Sequence, residues 1–152
     1  MTRYLLDRDV MSQLDQPEAK RHKNVRAWLK TIPDSALYVG AITVMEAWRG
    51  LGNARRKAAC SPARMSQCDA YENAFEKLIS AFEERVVPID AQVAKLWGQL
   101  RGRFDKNHWD LGVVATAITH DMVVATRNTA DMKGRGTRMV DPFHKIPTII
   151  TP

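Results

Sequence analysis

Apolar residues recur along this chain in two rhythms. Short unbroken runs stand at 3–6 ("RYLL"), 36–40 ("ALYVG"), 85–90 ("RVVPID"), 122–126 ("MVVAT") and 148–150 ("TII"). Runs this short, closed by a charge, a hydroxyl or a glycine, predict buried strands. Between them the apolar positions fall three and four apart. Val25, Trp28, Leu29 and Ile32 share one face of a helix over 17–32, opened by Pro17 and Glu18. Thr43 is placed to cap a helix through "VMEAWRGL", with Glu46 at the third position after it, the spacing of a capping box. Tyr71, Phe75, Leu78, Ile79 and Phe82 are in phase over 65–85. Val93, Leu96, Trp97 and Leu100 line one side of a helix over 90–104, and the more apolar 109–120 predicts a more buried one.

Strands alternating with helices predict a parallel sheet with helices on both faces. The expected architecture is a three-layer α/β/α sandwich on a central, mostly parallel sheet of four to five strands. The 152 residues fit a single domain, 1–152, with no repeat, low-complexity tract or linker. In such folds ligands bind beyond the carboxyl ends of the strands. Asp7 follows the first strand and Asp131 the fourth. Glu46 lies in the helix after the second, and Asp110 opens the helix before the fourth. All four are expected at one edge of the sheet. Clustered carboxylates repel one another unless a cation joins them, and oxygen-only ligands select hard ions such as magnesium or manganese. Taken singly, each acid has a plainer role: a helix cap, a capping-box acid, a first-turn acid or a solvated turn residue.

Composition adds one element to this picture. Lysine and arginine number 23 against 17 acids, a formal charge of +6. The balance suits an anionic partner such as nucleic acid, and Arg55, Arg56 and Lys57 form a basic stretch able to grip RNA phosphates. An acidic pocket in a basic protein is a sensible arrangement for a nuclease. Cys60 and Cys68 are expected as free thiols. No apolar run is long enough to span a membrane, and the start of the chain lacks the apolar core of a signal peptide, so a cytoplasmic protein is expected. His108 and His120 are possible general bases, though metal-activated water requires none. Trp28, Trp48, Trp97 and Trp109 are expected in the core, with one or two available to a dimer interface.

The order of these residues resembles PIN-domain ribonucleases, specifically the VapC-type toxins of bacterial and archaeal toxin–antitoxin pairs. The resemblance runs from "YLLDRDVMSQL" through "ITVMEAWRG" and "VVPIDAQVAKLWGQLRGR" to "WDLGVVATAITHDMVVATRNTADM" and "VDPF". It implies a magnesium- or manganese-dependent endoribonuclease with Asp7, Glu46, Asp110 and Asp131 as metal-binding catalytic acids. Thr126 and Asn128 would line the pocket and orient them. It also implies a cognate antitoxin as partner, RNA as substrate and a homodimer. The antitoxin's apolar contacts are expected between the helix at 17–32 and that around Glu46, with Trp28 and Trp48 as walls. Where the family usually has a small hydroxyl and an asparagine after the first acid, this chain has Arg8 and Asp9. Arg8 is thus a further pocket residue that would pair with the acids, compete with the cation or reach a phosphate. Asp121 stands where the family often has glycine. Two other readings compete: a catalytically weak PIN-like module that binds RNA or protein, and a receiver-type domain phosphorylated at Asp90.

Overall fold

A computed structural model describes all 152 residues. In chain order the elements are β1 (Tyr4–Leu6), α1 (Arg8–Leu14), α2 (Lys23–Leu29), β2 (Leu37–Gly40), α3 (Ala41–Ala58), α4 (Pro62–Phe82), β3 (Val86–Val87), α5 (Ala91–Arg103), α6 (His108–Thr119), β4 (Val123–Ala125), α7 (Thr129–Met132), β5 (Arg138–Val140) and β6 (Ile149–Ile150). The six strands form one sheet in the order β3-β2-β1-β4-β5-β6, parallel except for the β5–β6 pair. The strand order reverses between β1 and β4, so a crevice opens beyond their carboxyl ends.

Helices cover both faces. On one, Val93 and Leu100 of α5 and Leu111, Val114 and Ala115 of α6 pack with Leu5 and Val124 of the sheet. On the other, Val10 and Met11 of α1, Val25 and Trp28 of α2, and Phe75 and Phe82 of α4 meet Leu6, Val39 and Val123. The strand residues alternate between the two clusters because successive side chains point to opposite faces. α6 is apolar almost all round because α5 covers its outer side, as its sequence predicts.

Several expectations need correction. The sheet has six strands, not four to five; the strand missed is β5, which opens on a charge at Arg138 and offers only Met139 and Val140 as an apolar run. The helix expected over 17–32 is a single turn at Glu18–Lys20 followed by α2. Thr43 is no cap: α3 starts at Ala41 behind Gly40, so Thr43 is fully buried inside the helix, its Oγ1 directed at the Leu6 carbonyl (3.4 Å). The capping box with Glu46 therefore does not form. Trp28 lies in the core, edge-on to Tyr4, and Trp48 packs edge-on to Phe75, so the two do not wall a groove between α2 and α3. Trp48 and Trp109 are the exposed tryptophans. Both cysteines are free thiols, and no helix is long and apolar enough to cross a membrane.

Candidate metal centre

The polar cluster after β4 is wired to the acid after β1. β1 and β4 lie side by side, with Leu6 level with Ala125, so Asp7 and Thr126 leave the sheet together. Thr126 is fully buried, and its Oγ1 donates to Asp7 Oδ2 at 2.8 Å. The same oxygen accepts the Asn128 amide at 2.9 Å. Asn128 Nδ2 in turn donates to Asp110 Oδ2 at 3.2 Å. Asp7 also caps α1, its Oδ1 accepting the Arg8 amide at 2.8 Å. "TRN" thus holds two carboxylates that are far apart in the sequence, Asp7 and Asp110, in set orientations.

The cleft above them has a volume of about 420 Å³ and is lined by polar residues alone: Asp7, Arg8, Asp9, Ser12, Glu46, Asp110 and Asn128. Three of the four expected acids therefore meet there. Asp131 is exposed on α7, at the rim, and near enough to Asp110 to raise its pKa. Thr126 does not line the cleft; it lies beneath Asp7 and fixes it.

Crowding is visible in the acid equilibria. Burial, then repulsion from Asp7 and Asp131, pushes Asp110 up to about 6 against the hydrogen bond from Asn128. Burial, then Asp7 and Asp110, raises Glu46, opposed by Arg49 and Arg8. Asp9, a departure from the family pattern in the sequence, is a further member of the cleft. Its Oδ2 accepts the Arg127 amide at 2.8 Å, while its Oδ1 is buried without a donor. Burial and Asp7 push Asp9 up to about 6. Its position two residues after Asp7, on the first turn of a helix that starts at the cleft, was the available signal.

The donor set fits a hard divalent ion: every donor is oxygen, the charge is negative, and one buried carboxylate oxygen has no partner. No three carboxylate, histidine or cysteine side chains converge to direct coordination spacing. That suits magnesium, which keeps several waters and needs only one or two carboxylates directly.

The other candidates lie elsewhere. Asp90 caps α5, accepting the Val93 amide at 2.9 Å, so its carboxylate serves the helix. His120 ends α6 at the opposite, amino-terminal edge of β4, and its carbonyl accepts from Arg3. His108 is exposed and near its own loop carbonyl, Asp105 O, at 2.9 Å. Arg55 bonds Asp69 (2.7 Å) and Glu72 and so joins α3 to α4, while Arg56 reaches Asn53 at 3.2 Å. Of the basic stretch, only Lys57 lines a groove.

The fold is a mostly parallel three-layer sandwich with a polar, acid-rich cleft at the strand reversal. The chain belongs to the PIN domain family, whose sequence profile matches residues 4–133. It is 28% identical to toxin FitB of Neisseria gonorrhoeae, over 92% of this chain and 98% of that protein. It is 29% identical to VapC ribonuclease Y4jK of Sinorhizobium fredii, over 91% and 96%. Among solved structures it resembles FitAcB from Neisseria gonorrhoeae, with a TM-score of 0.76 and 26% identity over 93% of this chain and 99% of that one.

Proposed function

We propose that this protein is a magnesium- or manganese-dependent endoribonuclease and the toxin of a toxin–antitoxin pair. The observation that carries the reading is the cleft itself, where Asp7, Glu46 and Asp110 face one another at the strand reversal with Asp7 and Asp110 oriented by Thr126 and Asn128. The names of the relatives, a toxin and a VapC ribonuclease, support it. Asp7, Glu46 and Asp110 would hold the ion, with Asp131 reaching in from the rim. When bound, the ion supplies an activated water and offsets the charge that grows on the phosphodiester. Thr126 and Asn128 keep the carboxylates aimed, and the +6 surface draws the RNA backbone to the cleft. An antitoxin would silence the site by supplying a cation of its own. Trp48 and Trp109 are exposed aromatics suited to a homodimer contact.

The test is cleavage of mixed transfer RNA with magnesium, with manganese and with chelator. Cutting that survives chelation sinks the mechanism. Asp7→Asn and Asp110→Asn should abolish cutting while the fold survives. The second reading, a catalytically weak module binding RNA or protein, is favoured by Arg8, a cation that lines the acidic cleft and opposes the charge repulsion on Glu46. Failure of manganese to bind in titration calorimetry would select it.

A further inference from the structure

Arg8 stands on the partition between two depressions. One is the acidic cleft. The other is a groove of about 560 Å³ between α3 and α4, floored by Leu51, Ala54, Ala58 and Cys68. Its charged lining residues are Arg8, Lys57 and Arg64, with no carboxylate among them. Arg8 makes no ion pair with the acids of the cleft. Its Nη2 donates to Tyr71 Oη at 2.8 Å, and Tyr71 Oη donates to Asp15 Oδ2 at 3.3 Å. This relay draws the guanidinium towards the groove. The other terminal nitrogen, Nη1, is buried with no acceptor in the protein. An unsatisfied buried donor on a charged group is costly, and the fold accepts that cost beside the site where a phosphodiester would be cut.

We infer that the α3–α4 groove is a backbone subsite for single-stranded RNA, and that Arg8 binds the phosphate nearest the cleft. The inference rests on the ribonuclease reading above. A strand lying across the cleft meets Arg8 first. A guanidinium matches phosphate in a planar, two-point geometry, and Arg8, which lines both depressions, presents its terminal nitrogens to the phosphate once the side chain turns out from its seat against Tyr71. Lys57 and Arg64 continue the cationic track, and the apolar floor suits the faces of sugars and bases. Tyr71 holds the guanidinium off the acids of the cleft, so it stays available to a phosphate.

The experiment uses the full chain in chelator, so that RNA is bound but not cut, and a fluorescein-labelled single-stranded RNA oligomer read by anisotropy over a range of KCl. Each lost phosphate contact should lower the slope of log affinity against log salt by about 0.7. Arg8→Gln, Lys57→Gln and Arg64→Gln should each weaken binding and reduce the slope. Arg8→Lys, which keeps the charge, should retain the slope. Lys95→Gln, on α5 across the sheet, should leave both unchanged. Lys57 and Arg64 are exposed, so their variants test the groove whether or not Arg8→Gln folds. Wild-type affinity and slope in all three neutralised variants, with wild-type protein still cutting RNA, would overturn the subsite and leave the ribonuclease reading standing. A wild type that neither binds nor cuts RNA overturns both. Variants that bind RNA normally but no longer co-purify with a co-expressed antitoxin would assign the groove to a protein partner and overturn the inference.

Discussion

Thr126 illustrates how one hydroxyl sets a site. It accepts from Asn128 and donates to Asp7, so removing it frees the acid and breaks the link towards Asp110. Thr126→Val keeps the shape and deletes the hydrogen bonds. Losses of roughly 10–100-fold in manganese affinity are expected, as for other residues that orient metal ligands, and calorimetry measures them. The crowded acids also make stability depend on pH. Asp9 and Asp110 titrate near 6 in the folded chain against 3.8 for the reference carboxyl. Between those values the folded protein holds protons that the unfolded chain has released. Stability from these groups is therefore fully present below pH 4 and is lost as pH rises through 6. Asp110→Asn should flatten that fall. In chelator near pH 7 it should be more stable than wild type by about 1 kcal/mol, after allowing for solvent screening. Thermal unfolding on both sides of the window checks this. A variant that falls with pH as steeply as wild type would show that Asp110 does not titrate above its ordinary range in the folded chain.

Helix packing sets the next level. Gly112 of α6 lies where α3 and α5 both press in. A Cβ there would come within 2.2 Å of Ile42 Cδ1 and 2.9 Å of Trp97 Cε2. Ile42 can move, but Trp97 is pinned, its Nε1 donating to the His108 carbonyl at 2.9 Å. Gly112→Ala should therefore cost about 1–3 kcal/mol, despite the better helix propensity of alanine. Tm should fall by at least roughly 2 °C in a domain of this size. An unchanged Tm would mean that α5 shifts freely. At the far end of α6, Asp121 adopts φ 52, the left-handed conformation that glycine suits, and is tied by a 2.6 Å contact from Arg138 of β5. That ion pair partly offsets the strain of the missing glycine.

On the scale of the molecule, charge is divided between a basic surface and one acidic cleft. The division draws phosphate backbones inward and leaves the cleft open to any cation of the right shape. A partner peptide that inserts an arginine would satisfy two carboxylate oxygens at once. The complex with a cognate antitoxin should then take up manganese more weakly than the free protein. Equal uptake would place inhibition on the RNA path. The α3–α4 groove is where such a block would act.

Much of this was determined by the sequence alone. Alternating short apolar runs and helical periods require parallel strands, and parallel strands gather their carboxyl ends at one edge. Asp7, Glu46 and Asp110 had to approach one another once that topology was set. Only the tertiary structure decided the rest. β5, three residues long, is a strand because β4 lies beside it, not because its own pattern says so. Asp9 belongs to the cleft because the Arg127 amide, far along the chain, comes to meet it. Asp131 stays at the rim because α7 is a single exposed turn. Arg55 is taken from the basic stretch by two acids of α4, and Arg8 turns towards Tyr71 and Asp15 instead of the nearer acids. Local patterns report a residue's neighbours within a turn or a strand. Which distant group satisfies a charge depends on packing, and that is settled only when the layers close.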